Sequence, residues 1–202
     1  MASEVDFYVG VDPNTDLKKG HDEMIKQLGA LVTPNELPID QRFRIIYAPF
    51  QTAEIPKELR FDLVSTSPPF FDFEIYTQNP GQSVLDHPRY EDWMVNFLFF
   101  SLEKGWDLLD INGYMAIHLT DVYKTKVCEA MSLFVQSKLE GSRRCGIISS
   151  TGQASKPRPI WIWQKVEKTD IEKAELATKE LERLYPDVAQ QLKRNKKRKA
   201  ED

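Results

Sequence analysis

The sequence predicts an α/β fold built on a mostly parallel sheet, and three observations carry that prediction. Short apolar, β-branched and aromatic runs alternate with segments of helical periodicity along the whole chain. The resulting order, β-α-β-β-α-β-α-β-β-α, is that of strands joined by helical crossovers. The last two runs are separated only by TGQASKPR, a link short enough for an antiparallel pair, so one antiparallel closing strand is expected.

Each element follows from local chemistry. DFYVGVD (Asp6 to Asp12) reads as a buried strand. Asn14 or Thr15 then caps a helix that runs to about Leu28, with Gly29 as its stop. RFRIIYAPF (Arg42 to Phe50) and FDLVST (Phe61 to Thr66) are the second and third strands. A long segment rich in Pro, Gly, Asn and Gln, Ser67 to Pro88, reads as a loop, and loops of that length are usually functional or disordered. A helix is expected from about Tyr90 to Leu109, with Trp93, Phe97, Phe100 and Trp106 as its core stripe. Asn112-Gly113 reads as a turn before the strand YMAIHLT (Tyr114 to Thr120). Val122 to Leu139 is helical and stops at Gly141. RCGIISS (Arg144 to Ser150) and PIWIWQK (Pro159 to Lys165) close the sheet. Thr169 or Asp170 caps a final helix to about Tyr185, with Pro186 beyond it, and the charged tail is expected to be disordered. The expected domains are an α/β domain over 1–166, a C-terminal helix over 167–186 and a tail over 187–202.

Length and composition bound the class. The 202 residues can bury one real core, and 41% hydrophobic with 29% charged residues fits a globular chain. No apolar run approaches the roughly 18 residues needed to span a bilayer, and MASEVDFYVG lacks the pattern of a secretory signal, so an intracellular, nuclear or cytoplasmic location is expected. Cys128 and Cys145 have no second Cys or His at ligand spacing and read as reduced and structural, so no metal site is expected. KRNKKRK (Lys193 to Lys199) concentrates six positive charges, leaving 21 basic against 31 acidic residues in the rest. Such a cluster reads as a nuclear localisation signal, a phosphate-contacting tail or a solubilising segment. Lys156 and Arg158 are further candidates for touching a phosphate backbone.

In a parallel α/β sheet ligands bind beyond the carboxyl ends of the strands, so those ends locate the chemistry. After the first strand comes Asp12, which can accept hydrogen bonds from ribose hydroxyls or simply form a turn or cap with Asn14. After the second come Phe50 and Gln51, which can flank a flat heterocycle or merely cover the sheet. After the third comes Ser67-Pro68-Pro69-Phe70. The two prolines remove two backbone donors and fix φ, so carbonyls there can accept from an amino group. The Ser67 hydroxyl can accept as well, and Phe70 offers a ring on which a base can stack, a contact worth roughly 1–3 kcal/mol. An amine held between acceptors and a stacking face is oriented toward an electrophilic methyl group. His118, inside a strand, reads as a core histidine, and His87-Pro88 as a loop feature. No GxGxxG, GxxxxGK[ST] or Gly-x-Ser-x-Gly occurs, which argues against dinucleotide, P-loop and serine-hydrolase chemistry.

Taken in order, an acid after one strand, an aromatic-polar pair after the next and Ser-Pro-Pro-Phe after the third resemble the signatures of S-adenosyl-L-methionine-dependent amino-methyltransferases. The resemblance covers about Asp6 to Lys165. The strings YVGVDPN and SPPFFDFEIY are also similar to methyltransferase-like proteins of large DNA viruses and phages. The resemblance implies a Rossmann-like class I methyltransferase sheet and methylation of adenine N6 or cytosine N4 in DNA or RNA, with S-adenosyl-L-methionine as cofactor. It implies that Asp12 binds the cofactor ribose and that Phe50 and Gln51 flank its adenine. It implies that Ser67, Pro68, Pro69 and Phe70 hold the target amine. The loop through Phe71, Asp72, Glu74 and Tyr76 would close over the substrate. Serine at the first motif position is more typical of the cytosine-N4 class.

The family's first strand, with its glycine-rich turn beneath the methionine moiety, has no counterpart here; Gly10, Gly141, Gly146 and Gly152 do not replace it. That strand is central in the family sheet, so its lack should leave two unpaired ladders. The resemblance then implies a partial sequence, a partner chain that supplies the strand, or loss of catalysis, of which a partial sequence is favoured. The alternative function is a non-catalytic nucleic-acid-binding or regulatory relative.

Overall fold

A computed structural model describes residues 6–29, 39–72, 82–121, 125–150 and 158–201. The chain divides into two compact units, Met1–Ile55 and Pro56–Asp202. The boundary falls between the second and third strands, inside the α/β domain expected over 1–166.

The first unit holds β1 (Tyr8–Val11), a 3-10 turn (Thr15–Leu17), α1 (Lys18–Gly29), α2 (Ile39–Arg42) and β2 (Phe43–Ile46). β1 and β2 pair in parallel, Tyr8 opposite Phe43 through Val11 opposite Ile46. Asn14 caps the 3-10 turn by accepting from the Asp16 N–H at 3.0 Å. Phe43 is buried and its ring meets Tyr8 at 6.3 Å between centroids, which ties the two strands on one face.

The second unit begins with β3 (Phe61–Thr66), followed by the single turn α3 (Ser83–Asp86). A continuous helical stretch then comprises α4 (Tyr90–Asp92), a π-helical segment (Trp93–Phe99) and α5 (Phe100–Asp107). β4 (Leu109–His118), α6 (Cys128–Lys138), β5 (Ser142–Ser150), β6 (Arg158–Lys165), α7 (Ile171–Leu184) and α8 (Pro186–Glu201) complete it. The sheet order is β3-β4-β6-β5. β3 and β4 are parallel, and β6 runs antiparallel to both β4 and β5. The antiparallel strand therefore lies inside the sheet, with β5 on the edge. Among the described residues β1 pairs only with β2 and β3 only with β4, so the strands fall into two separate ladders.

The core sits on one face of the second sheet. Met115, Ile117 and Trp163 are fully buried there against Met94, Leu98, Leu102 and Met131 of the helices. Phe99 and Phe134 stack with centroids 4.0 Å apart and planes 4° from parallel. Of the expected aromatic stripe, Trp93 and Trp106 are buried in the core, Phe97 is half-buried against it and Phe100 is half-buried. Its winding is π rather than α over Trp93–Phe99, which spreads five buried side chains over a wider arc than an α-turn would. The opposite sheet face leaves Leu63, Tyr114 and Ile148 exposed.

Two expected boundaries move. Asn112-Gly113 is not a turn between elements but an excursion inside β4, with Asn112 at φ 72° and the register jumping between Phe61 and Leu63. Helix α6 starts at Cys128 rather than near Val122, because the Asp121 carboxylate accepts from both the Val127 and Cys128 N–H groups at 2.9 Å and fixes the start there. Gly141 ends that region as expected. Its φ is +68°, and a Cβ there would lie 1.9 Å from the Val166 carbonyl oxygen.

The C-terminal segment is a correction. Residues 187–202 were expected to be disordered, yet Pro186–Glu201 is helix α8. Pro186 opens it, where its missing N–H costs nothing. Val188 and Ala189 are buried and Leu192 packs on the core, so an apolar edge precedes and underlies the charge run.

Candidate active site

The first unit carries the residues expected to hold the cofactor. β1 and β2 are parallel, so Asp12 and the Ala48–Ala53 segment both lie beyond carboxyl ends. The Asp12 N–H continues the ladder to the Ile46 carbonyl at 3.0 Å. Its Oδ1 accepts from the Asn14 N–H at 2.8 Å, the turn role that the sequence also allowed. A carboxylate has about four acceptor sites, so this bond leaves capacity for a ribose hydroxyl. Phe50 and Gln51 are half-buried inside a tight turn in which the Thr52 and Ala53 N–H groups donate to the Pro49 carbonyl at 3.0 and 2.9 Å. Tyr47, just after β2, hydrogen-bonds His21 Nδ1 at 3.1 Å. Its hydroxyl is held above its ordinary value, first by desolvation and then by the Asp22 and Asp12 carboxylates.

The second unit carries the Ser-Pro-Pro-Phe motif at the carboxyl end of β3. The parallel register Ser65–Ala116 and Thr66–Ile117 places Ser67 beside His118 at the end of β4. Ser67 Oγ and His118 Nδ1 are 2.9 Å apart. With the ring proton on Nε2, Nδ1 accepts from the Ser67 hydroxyl; with the proton on Nδ1, the ring donates to Oγ. In either case a lone pair of Oγ remains for a further donor. Ser67 is exposed and His118 half-buried, so the pair faces solvent at the strand ends. Sequence reasoning assigned His118 to the core, but its ring is half-buried and lies against the Ser67 hydroxyl. Only strand pairing joins residues 51 positions apart, and nothing in the local sequence reports it.

Phe70 departs from expectation. It was expected to offer an open stacking face, but it is 8% exposed and belongs to the core cluster. The stiff Pro68-Pro69 path turns it inward, where it meets the His118 ring edge-on at 5.7 Å. Pro68 is buried and Pro69 half-buried. The next residue, Phe71, has φ +52°, an outlier for a bulky side chain. Its ring is wedged against Tyr90 at 5.9 Å and Trp93 at 5.5 Å, contacts that hold the strained backbone. Asp72 is exposed. Tyr76, Glu74 and Lys156 lie outside the described residues. Arg158 is exposed at the start of β6.

Around the motif the other titratable groups are structural. His87 Nδ1 pairs with Asp92 Oδ2 at 2.9 Å, and Asp92 also accepts from Asn96. The Tyr90 hydroxyl donates to the Lys126 carbonyl and is raised well above its ordinary value by burial first, then by the charges of Asp121 and Glu91. Cys128 is buried and its thiol is pushed up to about 12, by burial first and then by Asp121. Among the described residues no cluster of three metal-ligating side chains occurs. No helix there is long and apolar enough to cross a membrane.

No protein family and no curated protein matches the chain in sequence. Solved structures do match. An rRNA methylase from Streptococcus thermophilus is 9% identical with a TM-score of 0.51, covering 80% of this chain and 76% of that one. The N-methyltransferase NodS from Bradyrhizobium japonicum WM9 is 6% identical with a TM-score of 0.50, covering 80% and 74%. The StiE O-MT, residues 961–1257, is 11% identical with a TM-score of 0.50, covering 88% and 66%. At these identities the likeness is one of fold. The α/β architecture, with its parallel strands and one antiparallel strand, is similar to the fold of these solved methyltransferases.

Proposed function

We propose that this chain is an S-adenosyl-L-methionine-dependent methyltransferase acting on an exocyclic amino group of a nucleobase, adenine N6 or cytosine N4, in DNA or RNA. The observation that carries the reading is Ser67-Pro68-Pro69-Phe70 at the carboxyl end of a parallel strand, with the Ser67 hydroxyl held by His118 from the adjacent strand end. The methyltransferase fold supports it, because ligands of such sheets lie beyond those ends.

The donor set fits the nucleoside half of the cofactor. Asp12 retains acceptor capacity for ribose hydroxyls, and Phe50 and Gln51 sit in the turn after the neighbouring parallel strand. When bound, S-adenosyl-L-methionine supplies an electrophilic methyl group. The chain's own residues do the rest by orientation. Ser67 Oγ accepts one hydrogen of the target amine, which aims the nitrogen lone pair away from the clamp. His118 fixes the rotor of that hydroxyl. The prolines remove backbone N–H groups that would compete for the amine's lone pair. With the Phe70 ring turned inward, the half-buried His118 ring is the flat surface beside Ser67 against which a base can lie. The strained turn at Phe71 holds the exit of the clamp in one conformation.

One observation favours a second reading. The run of exposed cations Lys193, Arg194, Lys196, Lys197 and Arg198 suits a relative that binds nucleic acid without transferring methyl groups. Incubation of the purified chain with methyl-labelled S-adenosyl-L-methionine and oligonucleotides, followed by nucleoside analysis, decides between them. Label in N6-methyladenosine or N4-methylcytidine (or the deoxy forms), abolished in Ser67→Ala, supports the transferase. Oligonucleotide binding that needs Ser67 and His118 but yields no labelled nucleoside supports the second reading.

A further inference from the structure

Helix α8 has two unlike faces. Val188 and Ala189 are 2% and 6% exposed, Leu192 packs against the core, and Asn195 donates to Asn96 of the π-helical segment. Positions 188, 192 and 195 recur at helical spacing, so this stripe fixes how the helix is rotated on the body. Lys193, Arg194, Lys196, Lys197 and Arg198, off this stripe, are all exposed. Among the described residues the ion pair on this face is Lys193 to Glu182 of α7, at 2.8 Å. Lys138, at the end of α6, adjoins the same face. Its amine donates to Thr178 Oγ1 at 3.3 Å and is held below its ordinary value, by burial first and then by the charge of Lys196. The Glu182 carboxylate acts in the opposite sense on the same amine, so Lys138 stands among Lys196, Lys193 and Glu182.

The chemistry of the face selects among polyanions. A membrane-surface helix needs a free apolar face, and that of α8 is already spent on the core. A docking site for an acidic protein needs aromatic or apolar anchors among its charges. The exposed positions from Lys193 to Arg198 hold none. A phosphate backbone needs only fixed cations, because released counterions supply the driving force. Cations in the last turns of a helix are also favourably placed against its dipole, so the cluster does not unravel its own support.

We propose that the outer face of α8, Lys193, Arg194, Lys196, Lys197 and Arg198 together with Lys138, is a docking surface for the phosphate backbone of a nucleic acid, gripping it without reading sequence. The surface deepens the function proposed above by naming what holds the strand, and it rests on that reading for its class of partner.

The test is fluorescence anisotropy of the full chain with labelled single-stranded and duplex oligonucleotides, between about 50 and 200 mM salt. The wild type should show a log–log salt slope of about −4, from four to six phosphate contacts at roughly −0.7 to −0.9 each. Lys196→Gln/Lys197→Gln keeps helix propensity and should lower the slope by about 2 units, weakening binding roughly tenfold at moderate salt. Lys196→Glu/Lys197→Glu should weaken it further, with circular dichroism unchanged. Binding and slope that do not change in either variant overturn the surface. So does polyglutamate, or a phosphatidylserine vesicle, that competes as well as the oligonucleotide. Ser67→Ala separates this surface from the proposed reaction. If no sample transfers methyl groups but the slope behaves as stated, the reaction is wrong and the surface stands. If methyl transfer occurs with the same oligonucleotide KM in wild type and in the double variants, the surface is wrong and the reaction stands.

Discussion

Ser67 Oγ and His118 Nδ1 lie 2.9 Å apart at the carboxyl ends of two adjacent parallel strands, and this contact joins the proline motif to the sheet. A hydroxyl on an exposed loop end would rotate freely. Here the ring of His118, whose backbone pairs with β6 opposite Ile160, limits it.

The first prediction concerns that pair. Removing the ring in His118→Ala frees the hydroxyl, and losing one such bond is worth about 0.5–1.5 kcal/mol, or roughly twofold to tenfold. The loss should fall on kcat of methyl transfer more than on KM for the cofactor. Nitrogen NMR gives an activity-free check: Ser67→Ala should change the tautomer balance of His118 while leaving the His87 resonances in place. Unchanged His118 signals would mean that the contact does not form in solution.

Asp121 gives a pH-dependent stability. Desolvation pushes its carboxyl up, but the Cys128 and Val127 N–H groups together, with Lys126 nearby, hold it below its ordinary value of 3.8. A depressed acid contributes stability above its unfolded value and loses it as pH falls through the folded one. Asp121→Ala should therefore cost about 0.5–2 kcal/mol at neutral pH. Urea melts of both proteins should converge as pH drops below the ordinary carboxylate range. A gap that stays constant down to strong acid would rule out the charged cap.

Gly141 tests the turn after α6. The left-handed φ of +68° and the 1.9 Å approach of a Cβ to the Val166 carbonyl leave no room for alanine. Gly141→Ala should destabilise by at least about 2 kcal/mol, read as a lower urea midpoint. Gly20→Ala, in helix α1 with nothing within 4 Å of a Cβ, should be neutral or stabilising by up to about 1 kcal/mol.

The two thiols should separate cleanly. Cys145 is exposed, whereas Cys128 is buried, donates to the Leu119 carbonyl at 3.3 Å and is pushed up to about 12. Alkylation followed by mass spectrometry should label Cys145 in the native chain and Cys128 only after denaturant is added. Native labelling of Cys128 at a comparable rate would contradict the packing beneath α6.

Much of this fold was legible because its signals are local. The alternation of FDLVST and YMAIHLT with helix-period segments gave the crossovers, and the glycine at 141 gave a stop that its φ explains. Contacts between distant segments were not legible. His118 looked like any strand residue until β3 was laid beside β4. The ring of Phe70 looked available until the two prolines were seen to turn it into the core. The run KRNKKRK masked helix α8, because its charge outweighed the spaced Val188, Leu192 and Asn195 that seat it. Propensity and charge are read residue by residue, whereas burial depends on what the chain brings opposite.

Calorimetric titration with S-adenosyl-L-methionine and with its demethylated product tests the central claim most directly, using wild type, Asp12→Ala and Ser67→Ala. Saturable binding to the wild type, lost in Asp12→Ala and kept in Ser67→Ala, is the predicted result. It would place the cofactor at the carboxyl end of β1 and show that Ser67 is not needed to bind it. A folded wild-type chain that gives no binding heat for either compound at several temperatures, with or without an adenine- and cytosine-containing oligonucleotide, would contradict the methyltransferase reading.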